Sequence, residues 1–367
     1  MWRIPFFLFP YLVAGVEWLL YARIAKPGRR AAAAWGAALF LAASKNPLIW
    51  LCGGYWFTPD MPTWLFALLN GLEGCLWTGL PCFLAASVVA PFLRRERRGQ
   101  AFAVAALVAA GLAAYGIVEG VRVPSVAVRE VWFADLPEEF DGYRLVHLSD
   151  LHCSSVARRW KIDGIVRRVN ALDADAVAIT GDFVDGAPET WAKELEPIRG
   201  LRAKDGVFAS TGNHERYWGF AAWEPLYREW GVRFLRNESV EIRRGGAVLS
   251  LGGLDDPELG ANPGAVFAGR GPGDFRVLMF HRPIWFARLA EECGVRLQLS
   301  GHTHGGGTPG LDRLVAKANE GHLRGFYALG DRLLHVSPGT GQWGGYPLRF
   351  FDPAEITLLV LHRGNSN

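Results

Sequence analysis

Between residues 143 and 304 five short, largely aliphatic runs each give way to glycine, aspartate or histidine: Tyr143–Ser149, Ala176–Thr180, Val207–Thr211, Phe275–Phe280 and Arg296–Ser300. Segments of helical character lie between them, so an α/β domain is predicted in which these runs are strands. Polar residues placed just past strand ends collect along one sheet edge, where such domains bind ligands.

The clusters read Asp150-Leu151-His152, Gly181-Asp182-Phe183-Val184-Asp185, Gly212-Asn213-His214-Glu215, the single His281, and Gly301-His302-Thr303-His304. In the first and last, the paired side chains are one residue apart and are expected to project the same way from a locally extended backbone. Gly181, Gly212 and Gly301 allow tight departures from the strands. Carboxylates, an amide and imidazoles without a thiolate suit Mn, Fe, Zn or Mg rather than a structural zinc knuckle. A lone histidine in such a chain is ordinarily structural; the ordered set of clusters carries the argument.

His147, His322, His335 and His362 fall in no cluster and are assigned structural roles, and Cys153 is assigned to packing. Asp255 and Asp256, beside Pro257, read as a turn. Arg216 and Tyr217, just after His214, either reach a substrate phosphate or are plain exposed loop residues.

The order DxH, GDxxD, GNHE, H, GHTH resembles the calcineurin-like metallophosphoesterase superfamily, and most of all its membrane-associated YkuE-like branch. The resemblance covers about residues 139–362, including the late segments Val336–Gly341 and Pro353–Ile356. It implies a two-sheet αββα sandwich. Carried over by position, it implies that Asp150, His152 and His304 hold one divalent metal, that Asn213, His281 and His302 hold a second, and that Asp182 bridges them. A shared carboxylate keeps such ions about 3.5–4 Å apart. It further implies that His214 is the acid for the leaving oxygen, oriented by Asp185, and that a metal-bridging hydroxide attacks phosphorus. Gly307 departs from the pattern, since relatives often carry Gln there.

The first third has a different character. Of the 367 residues 50% are hydrophobic, and most long uncharged runs precede residue 121. Stretches at about 4–24, 31–52, 64–93 and 101–119 each approach or exceed the roughly 20 residues that span hydrocarbon. A bundle of about four transmembrane helices is expected, with three or five as alternative counts, Lys45-Asn46-Pro47 interrupting the second stretch. The domain plan is therefore a bundle over 1–121, a linker over 122–138 and the metallophosphoesterase domain over 139–367. Lys26, Arg29, Arg30 and the Arg94–Arg98 run mark two loops as cytoplasmic, whereas Gly53–Thr63 has no Lys or Arg, so the domain is expected outside the cytoplasm. Glu17, Lys45 and Glu73 are read as interhelical pairing or snorkelling rather than a pathway.

A net charge of +3 with scattered basic residues gives no reason to expect nucleic acid. The five cysteines form no CxxC pair. The function expected is hydrolysis of a phosphomonoester, phosphodiester or pyrophosphate bond in a small-molecule, lipid-linked or envelope-derived substrate. The rival is a non-catalytic module that uses its metals to bind membrane or cell wall.

Overall fold

The computed structural model describes residues 3–51, 59–307, 312–345, 348–350 and 352–364. The chain divides into two compact units: a helical one, up to Val121 together with Gly345–Phe350, and an α/β one formed by the rest from Arg122.

The helical unit contains α1 (Arg3–Ile24), α2 (Arg29–Ala43), α3 (Lys45–Leu51), α4 (Thr63–Val89) and α5 (Arg98–Val121). Its four-span expectation needs correction. The second apolar stretch breaks at Ser44 into α2, of 15 residues, and α3, of 7. Both are short of the length needed to cross hydrocarbon. The break has a polar cause: Lys45 ion-pairs with Glu73 and donates to Asn70 Oδ1 at 3.0 Å, all three buried. Among the described residues, the helical stretches Thr63–Phe92 and Arg95–Val121 are the two long and apolar enough to cross a membrane. Cys52 and most of the Gly53–Thr63 loop lie outside the described residues.

Small residues form the seam between α4 and α5: Gly74 and Thr78 on one, Ala105, Ala109, Ala113 and Gly116 on the other, all buried. Such residues let helix backbones approach closely without a solvent-driven hydrophobic term. Thr78 Oγ1 donates to Gly74 O or to Ala109 O across the seam, at 2.9 and 2.8 Å. Leu348 and Phe350 pack into the same unit. A β-carbon on Gly74 or Gly116 would come within 3.0 Å of their side chains, which explains both glycines.

The α/β unit has two six-stranded sheets. The strands are β1 (Ser125–Phe133), β2 (Tyr143–Leu148), β3 (Ala176–Thr180), β4 (Gly206–Ser210), β5 (Val232–Phe234), β6 (Glu238–Arg244), β7 (Ala247–Leu254), β8 (Phe275–Phe280), β9 (Leu297–Ser300), β10 (Gly325–Leu329), β11 (Arg332–Val336) and β12 (Glu355–Arg363). Sheet orders are β1-β12-β2-β3-β4-β5 and β10-β11-β9-β8-β7-β6. β2 to β5 are parallel, as are β7, β8, β9 and β11, so their carboxyl ends share a direction within each sheet. Residues 122–138, expected to be a linker, instead contain β1, which pairs parallel with β12 along its whole length. β1 forms one edge of its sheet; Val128, Arg129 and Glu130 are exposed, and only its end alternates, with Val131 and Phe133 buried and Trp132 exposed.

Side-chain alternation builds four layers. From β2 and β3, Val146, Leu148, Val177 and Ile179 face helices α6 (Arg159–Asn170), α7 (Pro188–Leu195) and the helix Phe220–Glu229, meeting Ile162, Leu195 and Trp223. Their alternates Leu145, Ala176 and Ala178 face the second sheet and meet Leu251, Val277 and Leu299. The outer face of the second sheet is covered in turn around Leu278, Phe280 and Leu289. At about 1.5–3 kcal/mol for each fully buried aliphatic or Phe side chain, these layers hold the strand ends in place.

Candidate metal centre

The loops that leave β2, β3, β4, β8 and β9 carry all nine residues singled out in the sequence. Asp150 and His152 follow β2, Asp182 and Asp185 follow β3, and Asn213 and His214 begin the short helix α8 (Asn213–Tyr217) after β4. His281 follows β8, and His302 and His304 follow β9. The nine residues are 21 to 152 positions apart where they touch across elements.

The side chains do not converge in the way expected. Asp150, His152, Asp182, His302 and His304 all have positive φ, at 54°, 43°, 58°, 71° and 49°, so the backbone there is left-handed rather than extended. For residues with a β-carbon this conformation costs of order 1 kcal/mol each and persists only where the surroundings enforce it. The strained turns aim neighbouring side chains into one space. Glycines clear that space: a β-carbon on Gly212 would lie 2.3 Å from Asp182 Oδ1, and one on Gly301 would lie 2.2 Å from Asp150 Oδ2.

Two donor groups result. Asp150, His152 and His304 form the first: His304 Nε2 is 3.3 Å from Asp150 Oδ1 and 3.1 Å from His152 Nε2. Asp182, His281 and His302 form the second: His281 Nε2 is 3.2 Å from Asp182 Oδ2 and 3.3 Å from His302 Nδ1. Asp182 Oδ2 is also 3.6 Å from His152 Nε2, so this oxygen lies between the groups. Donors about 2.0–2.1 Å from a shared ion sit about 3–3.4 Å from one another, which is the spacing found. Asn213 Oδ1 is buried without a hydrogen-bond partner, an expensive state that a cation would relieve. The residues present therefore fit two divalent ions.

Outer contacts orient the donors. His281 Nδ1 lies 2.6 Å from Thr180 O, so that nitrogen donates its proton and leaves the Nε2 lone pair facing Asp182. His152 Nδ1 lies 2.9 Å from Asp185 Oδ1, which turns its Nε2 inward in the same manner. The amide of His302 points at both oxygens of Asp150, each at 3.1 Å, and Ser149 Oγ donates to Asp150 Oδ2 at 2.5 Å.

Glu215 is the last residue of the Gly212–Glu215 cluster. It accepts from the amides of Gly212, Asp182 and Phe183 at 2.6, 2.9 and 2.9 Å, and so ties the loop after β4 to the loop after β3. Its only sequence signal was its place beside His214. Thr340 and Gly341 donate backbone amides to Ser149 O and Asp150 O at 2.7 and 3.0 Å, a support that no local pattern announced.

The electrostatics follow from burial and charge. Burial pushes the Asp182 carboxyl up, but His281, His214 and His152 outweigh it and hold it well below the usual carboxylate range. Burial opposes a charged His281, yet Asp182 and then Asp150 raise its pKa to about 10. His152 is raised well above its ordinary value in the same way, by Asp185 and Asp150 against burial. His302, buried and beside His281, falls to about 3. The carboxylates thus draw protons onto imidazoles, and a bound cation displaces those protons while supplying the same charge.

His214 belongs to a third grouping with His152 and Asp185. Its Nδ1 is 2.6 Å from Asp185 Oδ1, an ion-pair contact too misaligned to count as a hydrogen bond. Its Nε2 lies 3.9 Å from Asp182 Oδ2. Burial lowers the His214 pKa, but Asp182 and Asp185 more than reverse this, leaving it raised.

The remaining sequence assignments can be placed as well. Cys153 is fully buried in the core against the helices. Asp256 does shape a turn, accepting from Glu258 N at 2.9 Å, but it is also paired with Arg282, as Asp255 is with Arg236. Arg216 and Tyr217 are half exposed. His147 and His335 meet between the sheets with their Nδ1 atoms 2.9 Å apart.

The sequence profile described as calcineurin-like phosphoesterase matches residues 143–306, the span that supplies every donor above. A transmembrane protein with metallophosphoesterase domain from Bos taurus is 32% identical over 276 residues, covering 71% of this chain and 62% of its own. A metallophosphoesterase of Helicobacter pylori is 31% identical over 253 residues, covering 67% of this chain and 66% of its own. The metallophosphoesterase YkuE of Bacillus subtilis is 29% identical over 240 residues, covering 63% of this chain and 82% of its own. The chain thus spans about 62% of the length of the bovine relative. Together with the strand-end clusters, these matches identify the α/β unit as a member of the calcineurin-like metallophosphoesterase superfamily, with YkuE and transmembrane metallophosphoesterases among its homologues.

Proposed function

We propose that the α/β unit is a binuclear phosphohydrolase in which Asp150, His152 and His304 hold one divalent ion, Asn213, His281 and His302 hold the other, and Asp182 is shared. The observation that carries this reading is Asp182 Oδ2 lying 3.2 Å from His281 Nε2 and 3.6 Å from His152 Nε2, between the two donor groups. Mn, Fe, Zn and Mg all suit the donors. When bound, two such ions supply Lewis-acid charge to phosphoryl oxygens and acidify water.

The chain's own residues supply the proton and its control. His214 points Nε2 toward the centre, while Asp185 takes its other nitrogen and favours the imidazolium. An imidazolium there protonates a departing oxygen, the general-acid half of the reaction. Asp185 is a positioning residue, since it touches His152 and His214 and not the reacting atoms.

The substrate we favour is a phosphorylated small molecule or a lipid-linked compound of the membrane or envelope. Its support is the presence of two span-length apolar helices on the same chain. Arg94, Arg95, Arg97 and Arg98 between those helices support, by the positive-inside rule, a cytoplasmic loop and an extracytoplasmic α/β unit.

Purified full-length protein in detergent is expected to hydrolyse p-nitrophenyl phosphate with Mn and to lose that activity with a chelator. His214→Ala should retain metal and fold while kcat falls about 100-fold or more. Turnover unaffected by both chelation and this substitution would reject the reading.

A further inference from the structure

Beside His214 and His281 lies a set of charges that the hydrolysis reading leaves unused. Arg216 is two residues past His214, and Arg282 directly follows His281. One carboxylate spans both: Glu258 Oε2 is 2.5 Å from Arg216 Nη1, and Glu258 Oε1 is 2.8 Å from Arg282 Nη2. Tyr217 borders the same space, its ring centroid 5.2 Å from that of His214.

The members of this set are held very differently. Arg282 is anchored from behind by buried Asp256, through Nε to Oδ2 at 2.7 Å and Nη2 to Oδ1 at 3.0 Å. Asp256 is fixed in turn by its amide, which donates to Thr211 Oγ1 at 3.0 Å, just ahead of Gly212. Glu258 and Arg216 are looser, with side chains 34% and 52% exposed. An ion pair this open is screened by water and exchanges readily for another anion. Glu258 thus occupies, with two carboxylate oxygens, a place between two guanidinium groups that two phosphate oxygens fit equally well.

Resting on the phosphohydrolase reading, we propose that Arg216 and Arg282 receive a second phosphate carried by the leaving group, with Glu258 yielding its place, so that the preferred substrates contain a diphosphate linkage. Location supports the leaving-group side: Arg216 is two residues past His214, the proton donor to the departing oxygen, Tyr217 lies beside the His214 ring, and Glu258 ties Arg282 to Arg216. The reaction consumes one water. Its oxygen forms a new bond to the attacked phosphorus and releases a proton to solvent, the bridging P–O bond breaks, and the bridging oxygen departs on the second phosphate with the proton from His214, which solvent then reprotonates.

The test compares two ligands with the same nucleoside, AMP and α,β-methylene-ADP, whose P–C–P bridge is not cut. Their dissociation constants are measured calorimetrically on the full chain in detergent with Mn, and metal content is checked for each variant. The parent should bind the diphosphate analogue about tenfold more tightly than AMP, and Arg216→Gln should abolish most of that preference. Arg216→Lys, which keeps the charge but loses the fork, should restore part of it. Glu258→Gln should strengthen the preference by about threefold, because the competing carboxylate is gone. Equal shifts for both ligands in these variants, or none, overturn the subsite. A parent that discriminates between the ligands yet hydrolyses neither ADP nor p-nitrophenyl phosphate would remove the hydrolase reading and leave the subsite standing.

Discussion

Glu215 shows how a single side chain outside the donor set governs the centre. Its two oxygens take three backbone amides, two of them on Asp182 and Phe183. Glu215→Gln sets an NH2 group against at least one of those amides, leaving a buried donor unpaired. Stability should fall by about 2–3 kcal/mol in urea unfolding, with weaker metal binding because the left-handed turn at Asp182 loosens. Asp185 allows a prediction in pH. The raised His214 pKa extends its protonated form to higher pH, and activity is lost as pH rises through that pKa. Asp185→Asn removes one source of the raising, so the alkaline limb of the kcat profile should move to lower pH; an unmoved limb would show that His214 is not the titrating acid. Residue types and order made the nine site positions legible in sequence. Glu215 and Thr180 were not, because their contacts run through backbone groups whose partners are set by folding.

At the level of elements, β2 and β11 lie in different sheets and face each other through His147 and His335. Only one proton fits between nitrogens in that contact, and the other ring nitrogen of His147 is 2.9 Å from Thr180 Oγ1. Burial lowers the His147 pKa from 6.5 to about 3 and takes His335 well below its ordinary value, with His147 adding to the effect. A base depressed in the folded state binds fewer protons there than in the unfolded chain. Its stabilising contribution is therefore complete above about pH 6.5 and is lost as pH falls toward 3, by up to roughly 1.4 kcal/mol per pH unit and group. Urea midpoints should drop between pH 7 and pH 5, and His335→Gln should make that drop smaller. The runs Ala176–Thr180 and Phe275–Phe280 are strands over the residues expected, since they are mostly apolar and buried on both faces, with only Arg276 half-buried. β1 is not legible as a strand in sequence because Arg129 and Glu130 interrupt its apolar pattern, and pairing with β12 makes it one.

For the whole molecule, the proposed extracytoplasmic orientation of the α/β unit is open to direct test. A phosphatase or fluorescent reporter fused after Asn367 should report the extracytoplasmic side, and moving the charge of Arg94, Arg95, Arg97 and Arg98 to the far end of α5 should reverse it. A reporter active only in the cytoplasm would overturn the orientation while leaving the chemistry intact. The expected span count failed at Lys45, where an ion pair with Glu73 and a bond to Asn70 satisfy polar groups that an apolar run alone would have left exposed to lipid.

The sequence by itself determined the chemistry available. Donor identities, their order and the apolar first third are local properties that physical chemistry reads without coordinates. Tertiary structure decided the rest: that Asp182 faces both nitrogen groups, that five donors sit on left-handed backbone, and that Glu258 lies between Arg216 and Arg282. The first and last of these join residues tens of positions apart, and long-range packing sets which side chains meet and holds the left-handed turns.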